Sequence, residues 1–154
     1  MTITPSQKPN KPCVFCNTTE IKNREIITKN KLAWAFPTNI PITQGHILIA
    51  PIRCVKTLEG LTKEERMAIF DLAEVIMSSL RKVYGAQGFN CVWNQEILAG
   101  QSVPHFHLHI IARKEGDEGV LGYDPRSMLY RTGDREPTPE IELIKIRDEV
   151  RKAI

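Results

Sequence analysis

Several features that would point towards a membrane or nucleic-acid-binding protein are missing from this sequence. No stretch of the 154 residues approaches the roughly 18 uninterrupted apolar residues of a membrane-spanning helix. Residues 1–12 are polar and carry three prolines, so they lack the apolar segment of a secretory signal. A net charge of +3 is too small to predict nucleic-acid binding. We therefore expect a cytoplasmic protein that begins with a flexible arm over residues 1–12.

Histidine is scarce, yet three of the four histidines fall within five positions. His105, His107 and His109 alternate with Phe106 and Leu108. A period of two is typical of a β-strand, so the imidazoles are predicted to project from one face and the apolar side chains from the other. The residues alone leave two chemistries open: a metal ion shared by imidazoles, or a nucleophilic histidine with supporting histidines beside it.

The run from His105 to Ile111 resembles the signature of the histidine triad family, in which three histidines alternate with apolar residues. The approach segment, residues 99–103, is also similar to that family, and the resemblance covers residues 13–115. It implies an α+β fold in which an antiparallel meander sheet of about five strands packs with two main helices. Residues 13–154 are then expected to form a single domain, and two copies to dimerise by joining their sheets.

Local patterns predict where the helices and strands lie. A long helix is predicted over Leu61–Tyr84, with Thr62 and Glu65 forming a capping box at its start. Thr138 is predicted to cap a second helix whose first residue is Pro139. Strands are predicted at Glu25–Thr28, Leu32–Phe36, His46–Pro51, Gly88–Trp93 and the triad itself, and a loop at residues 114–137.

The resemblance implies roles for individual residues. By its position, His107 is the nucleophile that attacks the α-phosphate of a nucleotide and carries the nucleotidyl group covalently. His109 and His46 are expected to hydrogen-bond phosphate oxygens. Many relatives carry Asp or Asn as a ribose contact where this chain has Thr38, so the neighbouring Asn39 is expected to take over that contact. The candidate nucleotide-binding residues are Asn39, Asn94, Gln101 and Ser102.

Cysteine is also scarce, and three of the four residues fit a metal site. In a chain expected to be cytoplasmic, cysteines favour thiols or a metal over disulfides. Cys13 and Cys16 are spaced like half of a zinc site, which needs two further ligands. Several bacterial members of the family complete such a pair at the positions of Cys54 and His105. The resemblance therefore implies a structural zinc ion on Cys13, Cys16, Cys54 and His105, which would leave His105 no catalytic role.

The function implied by the resemblance is that of a nucleotide hydrolase or nucleotidyltransferase that releases a nucleoside monophosphate. Residues 113–117 are similar to the branch that cleaves dinucleoside polyphosphates. A purine nucleoside phosphoramidase and a dinucleoside polyphosphate phosphorylase are alternatives. Two other classes stay open: a metalloenzyme with zinc on His105, His107 and His109, and a nucleotide-binding regulatory protein with little turnover. The expected partners are a nucleotide and a second copy of the chain, with no nucleic acid or membrane.

Overall fold

A five-stranded antiparallel sheet is the frame of the molecule. The structure, a computed structural model, describes residues 13–16, 25–117 and 137–154. No helix in these three segments combines the length and apolarity needed to cross a membrane. Within these segments the predicted α+β class is confirmed, with five antiparallel strands and two α-helices. The elements are β1 (Thr28–Lys29), β2 (Ala33–Pro37), β3 (His46–Pro51), α1 (Lys63–Tyr84), β4 (Gly88–Val92), β5 (Leu108–Arg113) and α2 (Glu140–Lys152).

The order of the strands places the triad strand inside the sheet. The strands are arranged β1-β2-β3-β5-β4, so β5 is bonded on both sides and β4 forms an edge. On one face of the sheet, α1 buries a stripe that includes Ile69, Ile76 and Leu80. Leu108 and Ile110 of β5 enter the same core, as their alternation with the histidines predicts. Each such fully buried side chain stabilises the fold by about 1.5–3 kcal/mol.

The opposite face of the sheet carries a second, smaller apolar cluster beside the histidines. Leu48 of β3 pairs with His109 of β5, and Phe36 of β2 pairs in turn with Leu48. Directly paired residues share a face, so these apolar side chains lie on the face of the imidazoles. We call the group the site-face cluster; it comprises Phe15, Ile26, Trp34, Phe36, Leu48 and Ala50.

Some predicted boundaries differ from the structure. The triad strand begins at Leu108, not at His105, because the Phe106 N–H donates to the Val55 carbonyl instead of joining a strand ladder. The second helix begins at Glu140, because the Thr138 N–H donates to the Asn39 carbonyl and the cap residue is Pro139. The first strand is Thr28–Lys29, later than predicted. The arm at residues 1–12 and most of the predicted loop, residues 118–136, lie outside the described residues.

The predicted capping box at the start of α1 is confirmed and is joined by an arginine. Thr62 Oγ1 accepts from the Glu65 N–H at 3.1 Å, and Glu65 Oε2 accepts from the Thr62 N–H at 2.8 Å. Arg53 donates two hydrogen bonds of 2.8 Å to the same carboxylate, which is 4% exposed. These bonds from Arg53 hold the pKa of Glu65 below its ordinary value. Glu65 therefore ties the segment after β3 to the first turn of α1.

Replacing Glu65 with alanine is expected to lower the free energy of unfolding by about 2 kcal/mol, since it removes a cap and leaves Arg53 without its carboxylate. Glu64→Ala is the matched control, because Glu64 is exposed in the same helical turn. That control should cost about 0.5 kcal/mol or less. Urea denaturation of the two variants measures the difference, and equal losses would contradict the role given to Glu65.

Candidate active site

A backbone carbonyl decides which nitrogen of His107 carries the proton. His107 Nδ1 lies 2.8 Å from the carbonyl oxygen of His105. A carbonyl oxygen accepts hydrogen bonds and cannot donate them, so Nδ1 carries the hydrogen and the lone pair of the neutral ring is on Nε2. The ring is 5% exposed and meets Phe15 edge-on, with 5.4 Å between centroids. The fold thus holds His107 in the tautomer that attack through Nε2 requires.

A backbone amide sets the protons of the other two predicted catalytic histidines. The Ile42 N–H donates to His46 Nδ1 at 3.1 Å, so the hydrogen of neutral His46 is on Nε2. His46 Nε2 lies 2.9 Å from His109 Nδ1, which must therefore accept. The hydrogen of His109 is then on its own Nε2. With 4.9 Å between the centroids of His109 and His107, the structure brings all three side chains together.

Gly45 allows the turn that brings the Ile42 amide to His46. Its φ of +84° lies in the left-handed region, which side chains disfavour. A Cβ atom at this position would also stand 2.9 Å from Tyr84 Cδ2. Thr43 Oγ1 donates to the Ala112 carbonyl at 2.8 Å and ties the same turn to β5. The hydrogen bond from the Ile42 N–H to His46 therefore requires a glycine at position 45.

A cleft of about 280 Å³ opens beside His107 over the site-face cluster. Of the predicted nucleotide-binding residues, Asn39 and Ser102 line it. Thr38, which stands where relatives carry Asp or Asn, also lines the cleft, and its Oγ1 accepts from the Ile40 N–H at 3.4 Å. The other lining residues are Val14, Phe15, Glu25, Phe36, Pro37, Leu48, Val103 and Leu143.

Gln101 and Asn94, the two other predicted nucleotide contacts, do not line this cleft. The Gln101 amide bonds three backbone groups instead. Its Oε1 accepts from the Glu96 N–H at 2.7 Å, and its Nε2 donates to the carbonyls of Lys56 at 2.9 Å and His105 at 3.4 Å. In this conformation Gln101 braces the turn that leads into the triad. Its predicted contact with phosphate stays a prediction.

The apolar walls of the cleft were not predicted. The alternation in β2 and β3 could have identified Phe36 and Leu48, since both fall on the histidine face once the strands are paired. Phe15 could not be placed, because its position depends on packing against the distant rings of Phe36 and His107. Leu143 comes from α2, at the far end of the chain, and no local sequence signal links it to the triad.

The four predicted zinc ligands form one group. The ligand atoms of Cys13, Cys16, Cys54 and His105 all lie within 4.8 Å of one another. His105 Nδ1 is 3.3 Å from Cys16 Sγ and 3.6 Å from Cys13 Sγ. A tetrahedral zinc ion with Zn–S of about 2.3 Å and Zn–N of about 2.0 Å places neighbouring ligand atoms about 3.4–3.8 Å apart. The two distances from His105 Nδ1 to sulfur are close to this spacing, whereas Cys16 and Cys54 are bonded to each other and would have to separate to ligate an ion.

The protonation of His105 also suits a metal ligand. Its Nε2 lies 2.8 Å from the Pro51 carbonyl, so Nε2 carries the hydrogen and the lone pair on Nδ1 faces the sulfur atoms. Burial holds the pKa of His105 below its ordinary value and keeps the ring neutral. The expectation of thiols or a metal in preference to disulfides does not hold for Cys16 and Cys54, which are joined as a disulfide in the structure. Because zinc binds thiolates, this pair must be reduced before the group can hold the ion.

Fold and site define an α+β protein with a histidine triad running into an interior strand of an antiparallel sheet. The chain belongs to the HIT domain family, whose model matches residues 19–116. It is 34% identical over 144 residues to the bis(5'-nucleosyl)-tetraphosphatase [asymmetrical] of Schizosaccharomyces pombe, covering 83% of this chain and 79% of that protein. It is 31% identical over 133 residues to the bis(5'-adenosyl)-triphosphatase of Dictyostelium discoideum, covering 85% and 86%.

Solved structures agree on the fold. A HIT-like protein from Bartonella henselae matches with a TM-score of 0.74 and 22% identity, covering 96% of this chain and all of that one. A zinc-bound histidine triad family protein from Mycobacterium smegmatis matches with a TM-score of 0.70 and 23% identity, covering 92% of each chain. The predicted family is therefore confirmed by sequence relatives, and its architecture by solved structures.

Proposed function

We propose that this protein is a nucleotide hydrolase that cleaves dinucleoside polyphosphates at the α-phosphate and releases a nucleoside monophosphate. Relatives at 31–34% identity carry the names of dinucleoside polyphosphate hydrolases and are covered over most of their length. The observation that carries the mechanism is the bond from His107 Nδ1 to the His105 carbonyl, since it leaves the Nε2 lone pair for attack.

In the first step, His107 Nε2 forms a bond to the α-phosphorus, and the bond from phosphorus to the bridging oxygen breaks. The electron pair leaves with the remaining polyphosphate. The ring is then a cation, and its Nδ1–H donates more strongly to the His105 carbonyl as the charge builds. In the second step, water attacks phosphorus, the P–N bond breaks, and the pair returns to Nε2. The nucleoside monophosphate leaves, and the proton from water passes to solvent.

The remaining residues of the site are expected to bind the phosphate and the nucleoside of the substrate. His109, whose hydrogen is on Nε2, is positioned to donate to a phosphate oxygen with His46 supporting it. Asn39 and Ser102 line the cleft in which the nucleoside would lie against Phe15 and other apolar walls. We keep Gln101 and Asn94 as phosphate-side candidates, because both lie in the segment that leads into the triad.

The alternative functions differ in the site they need or in the product they release. In the described segments, the one group with metal-ligand geometry takes only His105 from the triad, which disfavours a metalloenzyme built on three histidines. A phosphorylase would yield a nucleoside diphosphate when inorganic phosphate replaces water. A regulatory protein would bind nucleotide without releasing product. A phosphoramidase would use the same nucleophile on a P–N bond.

Replacing His107 with alanine is expected to lower kcat for diadenosine triphosphate by at least about 10⁴-fold, since it removes the proposed nucleophile. AMP should still bind the variant, because the cleft is intact. Rapid acid-free quenching of the wild type, followed by mass spectrometry, should find one adenylyl group on a peptide that contains His107. Full AMP release by the variant would contradict the mechanism, and binding without any turnover by the wild type would favour the regulatory protein.

We propose that the cysteine–histidine group holds a structural zinc ion. The ligand spacing, the lone pair on His105 Nδ1 and a zinc-bound structural neighbour support this ion. Zinc supplies a fixed link between Cys13, Cys54 and the residue whose carbonyl holds His107, so its role is structural. We also place the protein in the cytoplasm, where thiols stay reduced.

Protein purified under reducing conditions is expected to contain about one zinc ion per chain. Cys54→Ser should lose most of this zinc, because one of the four ligands is gone. Cys91→Ser is the matched control, since Cys91 is exposed on β4 and lies outside the group, and it should keep its zinc. Metal analysis by mass spectrometry measures the zinc content of each protein. Less than about a tenth of an equivalent of zinc per chain in the wild type would contradict the proposed zinc site.

We propose that two chains form a homodimer through the edge strand β4 and the neighbouring surface of α1. An edge strand presents unpaired backbone groups to a partner. Large apolar side chains are exposed close by, with Met67 at 57%, Phe70 at 55% and Trp93 at 39%. Phe70 and Trp93 line one apolar groove of about 240 Å³, which a second copy would cover.

Phe70→Asp is expected to shift the protein from dimer to monomer, since it buries a charge in an apolar interface. Ile141→Asp is the matched control, because Ile141 is a 78% exposed apolar residue on α2. Light scattering after size exclusion should give twice the 17.5 kDa chain mass for wild type and control, and the single mass for Phe70→Asp. A monomeric wild type at micromolar concentration would contradict the dimer.

A further inference from the structure

The cysteines of the metal group take part in two bonding arrangements that exclude each other. Cys16 and Cys54 are joined as a disulfide, and the 5.6 Å between their Cα atoms lies within the range that disulfides require. Their sulfur atoms also belong to the group in which all ligand atoms lie within 4.8 Å of one another. A sulfur bonded to another sulfur is no longer a thiolate, so the group holds either the disulfide or a metal ion with four protein ligands.

The backbone fits both arrangements without a change of fold. The Cys16 N–H donates to the Cys13 carbonyl at 3.0 Å and closes the turn that carries both sulfur atoms. With the disulfide present, His105 Nδ1 already lies 3.3 Å from Cys16 Sγ and 3.6 Å from Cys13 Sγ. Binding of zinc then requires the bonded sulfur atoms to separate to about 3.8 Å, which side-chain rotation supplies.

Cys54 is the member of the group that a small oxidant reaches most easily, since it is exposed while Cys13 is half-buried. The Cys54 thiolate attacks one oxygen of a peroxide, the O–O bond breaks, and hydroxide leaves. The Cys16 thiolate then attacks the sulfur of the resulting sulfenic acid, the S–S bond forms, and the S–O bond breaks with loss of a second hydroxide. The two thiolates lose two electrons to the peroxide, and two protons from solvent convert the hydroxides into water.

We propose that Cys16 and Cys54 form a thiol–disulfide switch, in which a peroxide converts the pair to the disulfide and expels the zinc ion. Cys13 and His105 then remain as ligands, and two ligands do not retain an ion that four had held. A disulfide of this kind in the cytoplasm is typically transient and redox-sensing. The inference rests on the zinc site proposed above and adds the condition under which the ion leaves.

The disulfide form leaves the active site assembled. In it, His107 Nδ1 lies 2.8 Å from the His105 carbonyl, and His105 Nε2 lies 2.8 Å from the Pro51 carbonyl. Phe15, in the turn between the two cysteines, packs edge-on against His107 with 5.4 Å between centroids. The covalent bond to Cys54 therefore replaces the metal ion as the link that holds this turn beside the triad. Oxidation changes the metal content of the protein and leaves its nucleophile in the tautomer that attack requires.

The direct test adds about one equivalent of hydrogen peroxide to the reduced, zinc-loaded protein and follows zinc with a chromogenic chelator. Untreated protein with the same chelator is the control. About one zinc ion per chain should be released, and peptide mapping without reduction should find Cys16 linked to Cys54 and Cys13 free. Zinc that stays bound, or a disulfide between Cys13 and Cys16 instead, would overturn the switch and leave the zinc site standing. Reduced protein that contains no zinc would remove the zinc site and the switch together.

Two variants separate the switch from general oxidation. In Cys91→Ser, zinc release should match the wild type, because Cys91 lies on β4 outside the group and burial raises the pKa of its thiol. Cys54→Ser can form neither the four-ligand zinc site nor the disulfide. The thermal midpoint of the oxidised wild type should lie at least about 5 °C above that of Cys54→Ser, because the disulfide joins positions 38 residues apart. Equal midpoints would contradict the disulfide as a replacement for the metal link.

Hydrolysis tests whether the active site survives oxidation. The oxidised wild type should keep kcat for diadenosine triphosphate within about threefold of the reduced protein, because the bond that positions His107 is present in the disulfide form. A larger loss that dithiothreitol and added zinc reverse would contradict this part of the inference. No AMP from either form would remove the proposed function, while zinc release and the mapped disulfide would still decide the switch.

Discussion

The hydrogen bond from His107 Nδ1 to the His105 carbonyl is the interaction on which the site depends. It assigns the proton of the nucleophile without using a carboxylate or any other ionisable partner. The same principle operates at His46, where the Ile42 N–H fixes the ring, and at His105, where the Pro51 carbonyl does so. Backbone groups keep their donor or acceptor character at every pH, so they hold each imidazole in one tautomer more reliably than a titrating side chain would.

His105 connects this chemistry to the rest of the fold. Its carbonyl holds the nucleophile, while its ring reaches the cysteine group and the end of β3. The Cys13–Cys16 segment therefore contacts the triad through the His105 ring, and Phe15 of the same segment packs edge-on against His107. A metal ion at this group would fix His105 from a third direction and would thereby help to position the carbonyl that holds the nucleophile.

The sequence predicted what depends on local patterns. The period of two placed Phe106, Leu108 and Ile110 in the core, and the capping box located the start of α1. The predicted start of the second helix was wrong, because the observed start depends on a hydrogen bond between Thr138 and the distant Asn39. The tautomers could not be predicted for the same reason, since each depends on a backbone atom that the fold brings to a ring. Leu143 likewise reaches the cleft only through tertiary packing.

The measurement that tests this account most directly is a neutron diffraction structure of the deuterated protein at neutral pH. Our account predicts deuterium on Nδ1 of His107, directed at the His105 carbonyl, and none on Nε2. It also predicts that His46 carries deuterium only on Nε2. Deuterium on Nε2 of His107 would contradict the account, because the atom assigned to nucleophilic attack would then have no lone pair to offer.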